Sequence, residues 1–98
     1  MRYRIRYLAS VREDVRHLPP DLKRFVQAAL DELSENPHAG TPLVRELVGL
    51  WKYQAKRYRI IYEILSGKKE IVVFLIDGRE SVYDRLRELL KSSPATEN

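Results

Sequence analysis

Four side chains in the second half of this chain have the types and spacing to handle a phosphodiester: Lys52, Arg59, Arg79 and Tyr83. Cations cradle a phosphate, and a tyrosine stacks on a base or orients it. Arg79 and Tyr83 stand at i and i+4, so a helical segment would present both on one side. RNA brings its own nucleophile, the 2′-hydroxyl. A protein that cleaves it has to hold that hydroxyl in line, neutralise the charge growing on phosphorus and manage two protons. No histidine stands beside the four residues, since His17 falls at a helix end and His38 in a loop. Nor does the cluster hold the paired carboxylates of a two-metal nuclease, so metal-independent chemistry is expected, with no cofactor. A lysine is a poor base at neutral pH unless neighbouring cations disfavour its charged form, and arginine hardly releases a proton. Charge stabilisation is therefore the expected role of Arg79, with Tyr83 as the alternative proton carrier. Catalysis of this kind is weak and leans on substrate alignment. On spacing alone, an ordinary solvated sheet face accounts for Lys52 and Arg59 equally well.

Whether these cations meet depends on how residues 50–64 fold. As one continuous strand the stretch mixes charge into both faces, because side chains alternate. A two-residue turn at Lys56-Arg57 repairs the pattern. Gln54 then opposes Arg59, Tyr53 opposes Ile60, Lys52 opposes Ile61 and Trp51 opposes Tyr62. One face becomes Trp51, Tyr53, Ala55, Tyr58, Ile60 and Tyr62, a core face. The other carries Lys52, Gln54 and Arg59. Lys-Arg lacks the Asn-Gly or Gly-X chemistry of tight hairpins, but a register that splits charge over both faces costs more.

The remaining segments supply a frame. Tyr3, Ile5 and Tyr7 alternate with Arg2, Arg4 and Arg6, a strand with one solvated face. Ser10 and Glu13 form a capping-box pattern that predicts a short helix from about Val11 to His17, stopped at Pro19-Pro20. Leu22, Phe25, Val26, Ala29, Leu30 and Leu33 form a helical apolar stripe that ends at Asn36-Pro37. His38 to Pro42 is expected as loop. Glu70 to Ile76 reads as a strand buried on both sides, and Ser81 with Asp84 opens a last helix with Val82, Leu86, Leu89 and Leu90 along one stripe. The order β-α-α-β-β-β-α gives an α+β class: an antiparallel-type sheet, a helical hairpin on one face and a C-terminal helix. One domain over residues 1–91 and a disordered tail over 92–98 are expected.

The chain has 98 residues, a net charge of +4 and a pI of about 9.5, which permits nucleic-acid contact without proving it. The lack of cysteine excludes disulfides and thiolate metal sites. No apolar run is long enough for a signal peptide or a membrane span, so a soluble protein of the reducing cytoplasm is expected.

The segments Gly49-Leu50-Trp51-Lys52-Tyr53, Tyr58 to Ile64 and Asp77 to Tyr83 together resemble the RelE/ParE superfamily of toxins from prokaryotic toxin–antitoxin pairs. Leu18-Pro19, Leu33 and Asn36-Pro37-x-x-Gly40 fit the same pattern, so the likeness runs from about Tyr3 to Leu89. It implies, in the RelE branch, an endoribonuclease that cuts messenger RNA in the ribosomal A site. Arg59 is similar to the family's phosphate clamp, Arg79 to the arginine at the leaving oxygen, Tyr83 to the stacking tyrosine, and Lys52 to the first of a basic pair. Gln54 departs from the second of that pair, a position the family links to deprotonating the 2′-hydroxyl, which glutamine does not do. Gln54, Lys56 and Arg57 are expected to bind substrate. The resemblance also implies a cognate antitoxin, encoded adjacently, and the ribosome as partners. Two other readings stay open: a ParE-like inhibitor of DNA gyrase without a nuclease site, and a non-catalytic basic RNA-binding domain.

Overall fold

The computed structural model describes residues 2–78 and 86–88. Arg79, the Ser81 cap, Val82, Tyr83, Leu89, Leu90, the domain boundary at residue 91 and the tail over 92–98 lie outside the described residues. The element order is β1 (Arg4–Tyr7), α1 (Ala9–Arg16), α2 (Pro20–Glu35), β2 (Thr41–Pro42), β3 (Leu50–Ala55), β4 (Tyr58–Leu65) and β5 (Glu70–Asp77), with two 3₁₀ turns at Pro37–Ala39 and Arg45–Leu47. The sheet order is β1-β5-β4-β3-β2. Residues 86–88 are helical.

The hairpin of β3 and β4 forms in the expected register: Trp51 opposes Tyr62, Lys52 opposes Ile61, Tyr53 opposes Ile60 and Gln54 opposes Arg59. Lys56 closes the corner at a left-handed φ of 59°, where a residue with a Cβ costs about 1–2 kcal/mol. Burial on both sides of the corner outweighs that. Ile60 and Tyr62 are fully buried against Val11, Val26, Leu30 and Leu33 of the helices and Ile71 and Val73 of β5. Each such large side chain contributes roughly 1.5–3 kcal/mol.

Tyr62 ties this core to the segment leading out of α2. Its hydroxyl donates to the Pro37 carbonyl at 2.7 Å, and its ring stacks on Trp51, which His38 meets edge-on at 5.1 Å. Gly40 passes so close that a Cβ there would lie 2.5 Å from both the Tyr62 hydroxyl and the Lys52 carbonyl oxygen. Burial pushes the Tyr62 phenol up to about 12, and a backbone hydrogen bond from Gly40 partly opposes this.

Four expectations are corrected. The sheet is not wholly antiparallel: β1 pairs with β5 in parallel, because β1 leaves the sheet through helices rather than a hairpin turn. Residues 38–42 are not plain loop, since Pro37–Ala39 is a 3₁₀ turn and Thr41–Pro42 pairs with Trp51 and Lys52 as β2. Ser10 is not a cap. The Leu8 N–H still bonds the Val73 carbonyl at 3.2 Å, so strand pairing reaches residue 8 and α1 starts at once, without a side-chain cap. Phe25 belongs to the α2 stripe by spacing but stays 43% exposed, its ring met by the Lys56 ammonium of the hairpin tip.

Gly40→Ala should lower stability by about 1–3 kcal/mol, the usual cost of forcing a methyl into packed space, read as a lower denaturant midpoint. Tyr62 titrates higher in the folded chain than its ordinary value of 10. Its contribution is therefore full below pH 10 and lost as pH rises through about 12. Thermal unfolding followed between those pH values should show a smaller loss of stability for Tyr62→Phe than for the wild type.

Candidate functional site

The sheet face away from the helices is built in rows. Gln54, Arg59 and Asp77 stand abreast on β3, β4 and β5, and Lys52, Ile61 and Leu75 form the next row. Directly opposed side chains on one face lie about 5 Å apart at Cβ, and diagonal neighbours such as Lys52 and Arg59 about 7–8 Å. The hairpin thus brings Lys52, Gln54 and Arg59 together.

This face is not uniformly polar. Ile61 and Leu75 are buried beneath Leu86, together with Leu47 from the 3₁₀ turn and Leu50. The expected shallow basic surface is therefore confined to the end near the hairpin tip. Sequence periodicity gave no hint of the covering residue Leu47, which lies in an irregular segment. Leu50 alternates onto the same face as Lys52 and could have been found from that.

Charge compensation separates the cations into two groups. Arg4 and Arg6 bracket the Glu70 carboxylate at 3.9 and 3.2 Å, and Arg2 reaches Asp31 and Glu35 at 3.6 and 3.4 Å. These arginines pin β1 to β5 and to α2. Lys52, Arg57 and Arg59 have no ion pair among the described residues. The helices, residues 9–35, hold six acids against four bases, so the positive excess of the chain resides in the sheet and loops.

The two turn residues diverge from the cluster. The Lys56 ammonium lies 4.4 Å over the Phe25 ring, on the helix side of the sheet. Arg57 lines a cleft of about 510 Å³ with Asp14, His17, Leu18, Tyr58 and Asp77. Gln54 is exposed and its amide nitrogen donates to the Lys56 carbonyl at 3.0 Å. His17 caps α1, with Nδ1 2.9 Å from the Glu13 carbonyl oxygen, and lines the same cleft as Arg57. Unpaired cations on a flat, half-buried sheet end can hold a phosphate from one side while leaving its ester oxygens open.

The profile of the family described as ParE toxin of type II toxin–antitoxin system, parDE, matches residues 4–83. The chain belongs to this toxin family, within the RelE/ParE superfamily. Toxin RelG of Mycobacterium tuberculosis is 34% identical over 87 residues, covering 87% of this chain and all of that protein. The toxin–antitoxin complex RelBE2 of the same organism superposes with a TM-score of 0.74 at 31% identity, over 81% of this chain and 93% of the other. A mutant of the Escherichia coli toxin RelE in the free state gives a TM-score of 0.74 at 18% identity, over 95% and 100% of the two chains, a likeness of fold.

Each phosphate neutralised on a single strand contributes about 0.7 to the slope of log affinity against log salt. Arg59→Ala should weaken binding of a single-stranded oligoribonucleotide and flatten that slope by about this amount. Lys56→Ala, whose ammonium lies on the other side of the sheet, should leave both nearly unchanged in a fluorescence anisotropy titration.

Proposed function

We propose that this toxin is a messenger-RNA endonuclease that acts on the ribosome, without metal, using the 2′-hydroxyl of its RNA substrate. The single observation that supports this reading is the meeting of Lys52 and Arg59 on the half-buried sheet end, without carboxylate partners among the described residues. Arg59 clamps the scissile phosphate and steadies its transition-state charge, with Lys52 on the adjacent strand assisting. The family resemblance adds Arg79 at the leaving oxygen and Tyr83 stacked on the nucleotide. Gln54 extends the contact toward the hairpin tip. The ribosome supplies substrate alignment, which a site without a strong base needs.

The partner proposed is an antitoxin from the adjacent reading frame, acting in the cytoplasm. An acidic segment suits the sheet end. A segment that displaced residues 86–88 would find Leu47, Leu50, Ile61 and Leu75 beneath Leu86, an apolar patch ready to receive its side chains.

A second reading, inhibition of DNA gyrase, draws on the ParE description of the family and on Gln54 in place of a titratable group. Transcript-end mapping after induction in bacteria separates the two. New message ends within codons are expected, and Arg59→Ala or Arg79→Ala should reduce them about 100-fold or more, the scale for removing one transition-state contact. Intact messages together with inhibited supercoiling by purified gyrase would reverse the assignment.

A further inference from the structure

A nucleic-acid strand that crosses Arg59 has to leave the sheet, and the surroundings of Arg59 differ from side to side. Toward β5 the next side chain in its row is Asp77, whose carboxylate has only acceptors to set against the acceptor oxygens of a phosphate. Toward the middle of the sheet stand Ile61 and Leu75, covered by Leu47 and Leu86. At the hairpin tip the Lys56 ammonium turns to Phe25 on the helix side, and Arg57 shares its cleft with Asp14 and Asp77. Toward β2 the way is different. Gln54 and Lys52 carry no negative charge, and the row of Lys52 continues to Thr41, its register partner on β2. Opposed residues share a face, so Thr41 stands on the face away from the helices.

Thr41 is held in place there. The Leu43 N–H bonds the Leu50 carbonyl at 2.8 Å, so Thr41 and Lys52 form the next hydrogen-bonded pair of the ladder, with Cα atoms about 5.5 Å apart. Gly40 is wedged beside the Lys52 carbonyl oxygen and the Tyr62 hydroxyl on one side of Thr41, and the Pro42 ring fixes φ on the other. β2 ends the sheet order, and Thr41 is exposed. Its hydroxyl is an uncharged donor one strand beyond Lys52 and two beyond Arg59, at a spacing of about 5 Å per strand.

Serine and threonine hydroxyls take phosphate oxygens and so fix the register of a nucleic acid without reading its bases. We propose that Thr41 is a second phosphate subsite: its hydroxyl donates to a non-bridging oxygen of a phosphate on the strand that Arg59 clamps. The strand then passes over Lys52 and leaves the sheet across β2. Thr41 is a positioning residue in this role and takes no part in bond breaking. The proposal rests on RNA crossing Arg59, the reading given above, and adds the path of the strand to it.

The test reads affinity and salt dependence together. The full chain is titrated with a single-stranded oligoribonucleotide at several salt concentrations, and strand integrity is checked on a gel. Thr41→Val keeps the shape and loses the hydroxyl. Its affinity should fall about fivefold, the scale of one net hydrogen bond, with the slope of log affinity against log salt unchanged because no cation is lost. Thr41→Ser keeps the hydroxyl and should bind as the wild type does. Thr41→Lys sets a cation at the subsite and should steepen the slope by about 0.7. Gln27→Lys, the same charge on the exposed side of α2, should leave the slope as it was. Wild-type affinity in Thr41→Val, or equal steepening by Thr41→Lys and Gln27→Lys, overturns the subsite and leaves the Arg59 contact in place. A loss shared by Thr41→Val and Thr41→Ser overturns it as well, because it reports packing at the sheet edge. If Arg59→Ala binds as the wild type does, the clamp and the subsite fall together.

Discussion

The reversal of the chain at Lys56-Arg57 is the constraint on which the rest of the molecule depends. Two strands of alternating sequence carry the same side chains whether they run on or fold back, but only folding back sorts them by face. The corner sets Tyr58, Ile60 and Tyr62 beside Ala55, Tyr53 and Trp51, under the helices, and Arg59 beside Gln54. The left-handed Lys56 is a local cost of about 1–2 kcal/mol. Several fully buried side chains stand against it. The corner also anchors the cluster: the Lys56 carbonyl holds Gln54, and the Lys56 ammonium holds the tip to Phe25.

From that corner the candidate surface follows by subtraction. The helical hairpin covers one face of the sheet. Leu47 and Leu86 cover the middle of the other through Leu50, Ile61 and Leu75. Arg2, Arg4 and Arg6 look on paper like the richest basic feature of the chain, yet they are compensated by Glu70, Asp31 and Glu35. Among the described residues, the half-buried sheet end at Lys52 and Arg59 is left with positive charge that no carboxylate pairs. On the proposed reading the substrate carries its own nucleophile and alignment is supplied from outside, so little chemistry is asked of the site itself.

Most of the fold was legible because its signals are local. The period-2 pattern set the β3–β4 register, the 3.6 period marked α2, and the apolar run marked β5. Interactions distant in sequence were not legible. The parallel pairing of β1 with β5 joins residues more than sixty positions apart. The start of α1 is fixed by the bond from Leu8 to Val73, which overrides the capping signal at Ser10. In the site, Lys52, Gln54 and Arg59 were found from strand alternation. The departure of Lys56 to the helix side was hidden, because a residue in a turn has no face until its φ is known. Pairing of Arg4 and Arg6 with Glu70 was hidden too, since nothing in alternation says which strand lies next door.

The central claim, that RNA lies on the sheet end opposite the helices, is tested most directly by titrating the isotopically labelled chain with single-stranded RNA and following backbone amide shifts. The account predicts the largest changes at Lys52, Gln54 and Arg59, with Phe25, Val26 and Leu30 of α2 unmoved. Changes concentrated on α1 and α2, with β3 and β4 silent, would contradict it.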